Sequence, residues 1–128
     1  MNLEGRKVIV NKSITEIQNM LKTPEDYKNL MPDSLKTFET TEDGFSFELS
    51  GMPKIDLKIE KVSDNEVILS SAKSSLDFKL RGTMNALNEQ QTEVQLLFDG
   101  KFNPFIKMMV EKPLQNFINA LTDKIEQL

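Results

Sequence analysis

Two absences set the chemistry open to this chain: its 128 residues contain no cysteine and no histidine. Thiolate and imidazole are the side chains that usually hold zinc or haem, or that form nucleophile–base pairs. Those classes are therefore excluded. Carboxylates and carbonyls remain, and they suit Mg²⁺ or Ca²⁺. Glu39, Glu42, Asp43 and Glu48 crowd around one turn, but they lack the spacing of a calcium loop and read as a solvated face. Acid–base catalysis by a carboxylate pair needs at least one acid inside a cavity. Asp56, Glu60, Asp77, Glu93 and Asp99 all fall on the polar phase of their segments, as does Arg81. No catalytic residue and no metal ligand is assigned, and no cofactor is expected.

What gathers instead is apolar. Phe45, Phe47, Leu57, Phe78, Leu80, Met84, Leu96 and Phe98 share one phase of an alternating pattern. Connections that fall at one common end hold Met31-Pro32, Gly51-Met52-Pro53, residues 70–75 and Phe102-Asn103-Pro104-Phe105. Loops are normally polar, so Met, Phe and Pro collected there read either as the mouth of a cavity or as a plug for the core. Methionine adapts to ligands of varied shape, which suits a mouth. The inward stripe is equally open to two readings, ligand wall or plain core.

The elements that position these residues are legible. Residues 3–11 read as one strand with Val8 and Val10 on a common face. Ser13 and Glu16 form a capping box ahead of Ile14, Ile17, Met20 and Leu21. Thr23-Pro24-Glu25-Asp26 starts a second short helix through Tyr27, Leu30 and Met31, stopping at Pro32. From residue 34 to 101 the period is two, broken by polar turns at 42–44, 63–65 and 88–90. That pattern predicts antiparallel strands with one wet and one dry face. Asn103 and Pro104 open a long helix to about residue 127, with Ile106, Met109, Val110, Leu114, Phe117, Leu121, Ile125 and Leu128 as its apolar stripe. Pro113 interrupts it and predicts a kink near Met109, a hinge for the first turns.

The chain carries 16 basic and 20 acidic residues, a net charge of −4, with the signs interspersed. No basic face is offered to nucleic acid, and none is expected as a partner. No apolar run approaches the ~20 residues of a membrane span, and nothing in the opening residues reads as a signal peptide. A single domain over residues 1–128, located in the cytoplasm, is expected.

The order of elements is strand, two short helices, six strands and one long helix. Together with the opening K-V-I-V-N-K-S-I-T-E-I and the Leu30-Met31-Pro32 stop, it resembles the START-like helix-grip (SRPBCC) superfamily. In layout it is similar to the G-type carbon monoxide dehydrogenase subunits and their bacterial relatives. The resemblance implies an α+β fold in which a curled antiparallel sheet of about seven strands wraps around the C-terminal helix. It also implies a cavity between sheet and helix for a lipid, quinone or polyketide-like molecule. The candidate wall and mouth are then Met31, Phe45, Phe47, Met52, Leu57, Phe78, Leu80, Met84, Leu96, Phe98, Phe105, Met109 and Phe117. Three functions stay open: binding or transport of a small hydrophobic molecule, cyclase- or hydrolase-like catalysis in the same cavity, or a protein-interaction module with a filled core. The Met/Phe-rich end is a candidate for transient membrane contact.

Overall fold

The computed structural model describes residues 1–50, 54–72 and 77–128. Alternation becomes strand as the sequence predicts: β3 (Leu35–Thr40), β4 (Gly44–Leu49), β5 (Ile55–Val62), β6 (Glu66–Ser71), β7 (Asp77–Asn88) and β8 (Gln91–Lys101) pair in succession, all antiparallel. Residues 3–11 do not form one strand. They split into β1 (Asn2–Glu4) and β2 (Val8–Val10), both paired to β8, so the sheet has eight strands rather than about seven. The break has a local cause. Leu3 and Gly5 face inward on odd positions, Val8 and Val10 on even ones, and a chain of period two must bulge to change phase. Gly5 still donates its N–H to the Leu96 carbonyl at 2.8 Å.

Two short helices follow β2. In α1 (Ile14–Asn19) the Glu16 N–H donates to Ser13 Oγ at 3.2 Å, and the Ser13 N–H donates back to Glu16 Oε1 at 3.4 Å. The second helix is a 3-10 helix, Pro24–Leu30, where Asp26 Oδ2 accepts from the Thr23 N–H at 3.0 Å. The long helix α2 (Pro104–Glu126) begins with Asn103 Oδ1 accepting from the Ile106 N–H at 2.9 Å. It runs unbroken through Pro113, whose ring nitrogen leaves the Met109 carbonyl without its i+4 donor. Its buried residues are Leu114, Phe117, Ile118, Leu121, Thr122 and Ile125, all beyond that proline.

The result is an α+β architecture. A curled antiparallel sheet has its concave face closed by α2, which packs against β1, β2, β8 and the 3-10 helix. The apolar phase of β4 to β8 lines the concave face: Phe45, Phe47, Leu57, Val67, Leu69, Phe78, Leu80, Met84, Val94, Leu96 and Phe98 are all buried. Arg6 pins the β1–β2 connection to the last turns of α2 through Asp123 at 2.8 Å and Glu126 at 2.9 Å.

Two glycines mark opposite kinds of place in this sheet. A Cβ on Gly44 would lie 1.9 Å from the Leu57 carbonyl oxygen, so β4 and β5 approach closer there than any side chain allows. A Cβ on Gly82 would meet nothing nearer than Leu96 Cδ2 at 3.6 Å. Gly44→Ala is therefore expected to cost more than the ~1–3 kcal/mol of ordinary overpacking. Gly82→Ala should be neutral or stabilising by up to about 1 kcal/mol. Urea unfolding of both variants checks the pair, and equal effects would contradict it.

Candidate functional site

The curl leaves a partly open cavity of about 70 Å³ between sheet and helices. Its walls come from every layer. The sheet supplies Val10, Phe45, Leu57, Val67, Leu69, Leu80, Gly82, Met84, Val94 and Leu96, and α1 with its following turn supplies Ile17 and Leu21. Tyr27, Leu30 and Met31 come from the 3-10 helix and its end, while Phe117, Leu121, Ile125 and Leu128 come from α2 and the residues after it. Leu21 and Leu128 are half-exposed, so the wall reaches the surface beside them.

The lining is apolar apart from the phenol of Tyr27. That hydroxyl donates to the Leu21 carbonyl at 2.9 Å and so is already satisfied. Burial first, and the nearby Asp26 charge second, push its pKa up from the usual tyrosine value. It is a neutral, occupied group at any physiological pH. Tyr27 also begins an aromatic ladder. Its ring stacks on Phe45 at 5.0 Å, Phe45 meets Phe47 at 5.9 Å, and Phe47 stacks on Phe117 at 5.2 Å.

Of the thirteen residues singled out from sequence, seven border this cavity: Met31, Phe45, Leu57, Leu80, Met84, Leu96 and Phe117. Phe47 is fully buried behind the wall as a rung of the ladder. Phe78 and Phe98 stack on each other at 5.4 Å, and each lies 6.3 Å from Phe102. These three rings cluster at the end of the concave face where the sequence offered a mouth or a plug. Phe105 and Met109 stand on the outside, at 73% and 63% exposure, with Met108 between them at 83%. Met52 lies outside the described residues.

The cavity occupies the other half of the concave face, toward the turns at 63–65 and 89–90. Sequence reasoning missed Val10, Ile17, Leu21, Tyr27, Leu30, Val67, Leu69, Gly82, Val94, Leu121, Ile125 and Leu128 as wall residues. The signal was present in the helical spacing of Ile17 and Leu21 and in the inward phase of Val67 and Leu69.

The acids stay off the cavity. Asp56 is half-buried and accepts a hydrogen bond from Ser46 Oγ, while Glu60 pairs with Lys79 at 3.3 Å. Among the described residues, no group of three or more carboxylates is placed to hold a metal ion. Nor is any helix among them long and apolar enough to cross a membrane.

No protein-family model and no curated protein matches the sequence. Solved structures do match the shape. A START superfamily protein from Mycobacterium smegmatis aligns over 98% of this chain and 97% of its own, with a TM-score of 0.64 at 14% identity. The fold is the START-like helix-grip fold. Norcoclaurine synthase from Thalictrum flavumn, a point mutant in complex with a transition-state analogue, aligns over 99% of this chain and 92% of its own (TM-score 0.72, 12% identity). The di-domain ARO/CYC BexL of the BE-7585A biosynthetic pathway aligns over 98% of this chain and 46% of its own (TM-score 0.62, 10% identity). At such identities the helix-grip fold is what the likeness establishes.

Tyr27 is the single tyrosine of a chain without tryptophan, which makes its protonation directly observable. Its native pKa lies above the ~10 of an unfolded tyrosine. The stability it contributes is therefore fully present below pH ~10 and is lost as pH rises further. The stability difference between the native chain and Tyr27→Phe should hold constant from neutral pH to ~10 and shrink above it. The near-ultraviolet phenolate band should appear only with unfolding. A phenolate titrating near 10 in the folded protein would mean that water reaches Tyr27.

Proposed function

We propose that this helix-grip protein binds a small hydrophobic molecule in the cavity between sheet and α2, without transforming it. The observation that carries the reading is an interior space walled by aliphatic and aromatic side chains, whose one polar side chain, Tyr27, has its hydroxyl already committed to Leu21. Such a wall recognises a ligand by burial, worth ~25 cal/mol per Å² of apolar surface. The volume of about 70 Å³ is well short of the roughly 300–1,000 Å³ of ligand-filled pockets. Occupancy by anything larger than a few heavy atoms thus expands the site. Met31 and Met84, unbranched and adaptable, and Leu21 and Leu128 at the rim are the parts of the wall suited to yield.

Catalysis in the same cavity is the second reading, favoured by the norcoclaurine synthase likeness. It would require a proton donor or acceptor against the substrate, and Tyr27 is the one titratable side chain bordering the space. The third reading, an interaction module with a filled core, fits poorly with a core that encloses free volume.

The exposed Phe105, Met108 and Met109 extend the binding reading. They share the first turns of α2 with Lys107, Lys112 and Glu111, a segment with no fully buried side chain, a composition suited to shallow contact with an anionic lipid surface. Transient docking there would bring the protein to the phase in which apolar ligands dissolve.

Two experiments test these readings. Toluene and N-phenyl-1-naphthylamine should bind saturably, with a change in Tyr27 fluorescence. Met84→Trp, which drives an indole into the cavity wall, should weaken both roughly fivefold or more. Absence of saturable binding by either probe would overturn the binding reading. In co-sedimentation, the protein should pellet with phosphatidylglycerol vesicles at low salt, and the double change Met108→Glu with Met109→Glu should release it. Equal pelleting of both forms would remove the membrane contact.

A further inference from the structure

Phe117 borders two spaces. One is the buried cavity. The other is a surface groove of about 400 Å³ that runs between α2 and the ends of β3 and β4. Met31 and Pro32 repeat the arrangement one step along the chain, the first facing the cavity and the second the groove. Phe117, its ring stacked on Phe47, thus stands between an interior apolar space and an exterior one.

The two spaces differ in chemistry. The groove presents Ser34, Ser50 and Asn116, hydrogen-bonding side chains without charge, beside Pro32 and Pro113. In a chain whose residues are 28% charged, no charged side chain among the described residues borders it. Its charged neighbours in sequence lie outside the lining: Asp33, paired with Lys124 at 3.0 Å, Glu48 before Leu49, and Lys112 before Pro113.

We infer that cavity and groove are one binding site with Phe117 as a movable partition. On this account the ligand is an amphipathic molecule, with its apolar tail in the cavity and an uncharged hydrogen-bonding head in the groove. This rests on the binding reading above and narrows the ligand class: an alcohol, ester or amide head is accepted, whereas a carboxylate or phosphate meets no cation in the described lining.

The partition is placed where the wall can give. Residues 104–112 of α2 contribute no buried side chain, and Pro113 itself forms part of the groove. Without a Pro113 N–H the Met109 carbonyl does not tie that turn down. The helix beside Phe117 can shift while Ile118, Leu121 and Ile125 remain packed. Rotation of the Phe117 ring off Phe47 gives up one stacking contact, worth about as much as burying one or two methylenes of a tail.

The test compares three probes on the intact chain: toluene, which needs the cavity alone, and 1-decanol and decanoate at pH 8, which differ in head charge. Decanol should bind at least about tenfold tighter than decanoate, since a charge brought into the groove loses its water without gaining a partner. Asn116→Leu, a surface change, should weaken decanol about fivefold and leave toluene unchanged. Nuclear Overhauser contacts between the Phe117 and Phe47 rings should persist with toluene and vanish with decanol. Failure of toluene to bind would overturn the cavity itself and this inference with it. The inference falls alone if toluene binds but decanoate matches or exceeds decanol. It also falls alone if Asn116→Leu leaves the decanol-to-toluene ratio unchanged, or if the Phe117–Phe47 contact survives decanol.

Discussion

The structure depends on covering one helix face. From Leu114 onward α2 buries a side chain at nearly every inward position, and Ile118 and Thr122 are almost completely enclosed. A flat sheet could not enclose a helix in this way. The long β7–β8 hairpin therefore curls, and β1 and β2 fold over from the far edge. Gly5 is what lets them close. A Cβ there would stand 2.9 Å from Thr122 Oγ1 and 3.1 Å from Ile118 Cγ2, so any larger residue would hold the strand off the helix. Thr122 turns its hydroxyl back to the Ile118 carbonyl at 2.8 Å, leaving no polar atom unsatisfied at the crossing.

Given that enclosure, side-chain volume decides where space remains. The half of the concave face nearest the start of α2 receives Phe78, Phe98 and Phe102, whose rings pack on one another. The other half receives Val10, Val67, Leu69, Met84 and Val94 around Gly82, and they leave a cavity. The Tyr27–Phe45–Phe47–Phe117 ladder runs from the 3-10 helix to α2, with Phe47 behind the wall and the other three rings facing the cavity. The helix that holds the fold together thus also carries the ring that bounds the empty half.

Much of the fold was legible because its signals are local. Alternation in β4, β7 and β8, the capping box at Ser13 and the Asn103-Pro104 start each depend on residues within a few positions of one another. The break at Gly5 was also written there, in the change of inward phase between Leu3 and Val8, but the strong strand signal of Val8-Ile9-Val10 draws the preceding residues into one strand. The site was less legible. Whether Leu80 or Phe78 borders a cavity depends on which side chains stand opposite, from strands and helices distant in the chain. The phase of a strand says which residues face inward, and nothing in it says which of them meet a partner. For the same reason Phe105 and Met109 read as part of a mouth. Their loop neighbours are apolar, yet the helix carries them away from the core before Pro113.

The pairing of β1 and β2 has a consequence for how the molecule comes into being. Leu3 lies opposite Phe98, and Val8 opposite Val94, so these early strands have a partner synthesised some 90 residues later. Until then Val8 and Val10 belong to a nascent segment with no sheet to join. The meander from β3 to β8 can assemble hairpin by hairpin in the meantime, since each strand finds its neighbour just behind it. Closure of so distant a contact carries the largest loop entropy of any strand pairing in the sheet and should weigh on the folding rate. The part of the sheet made first is the part that locks last.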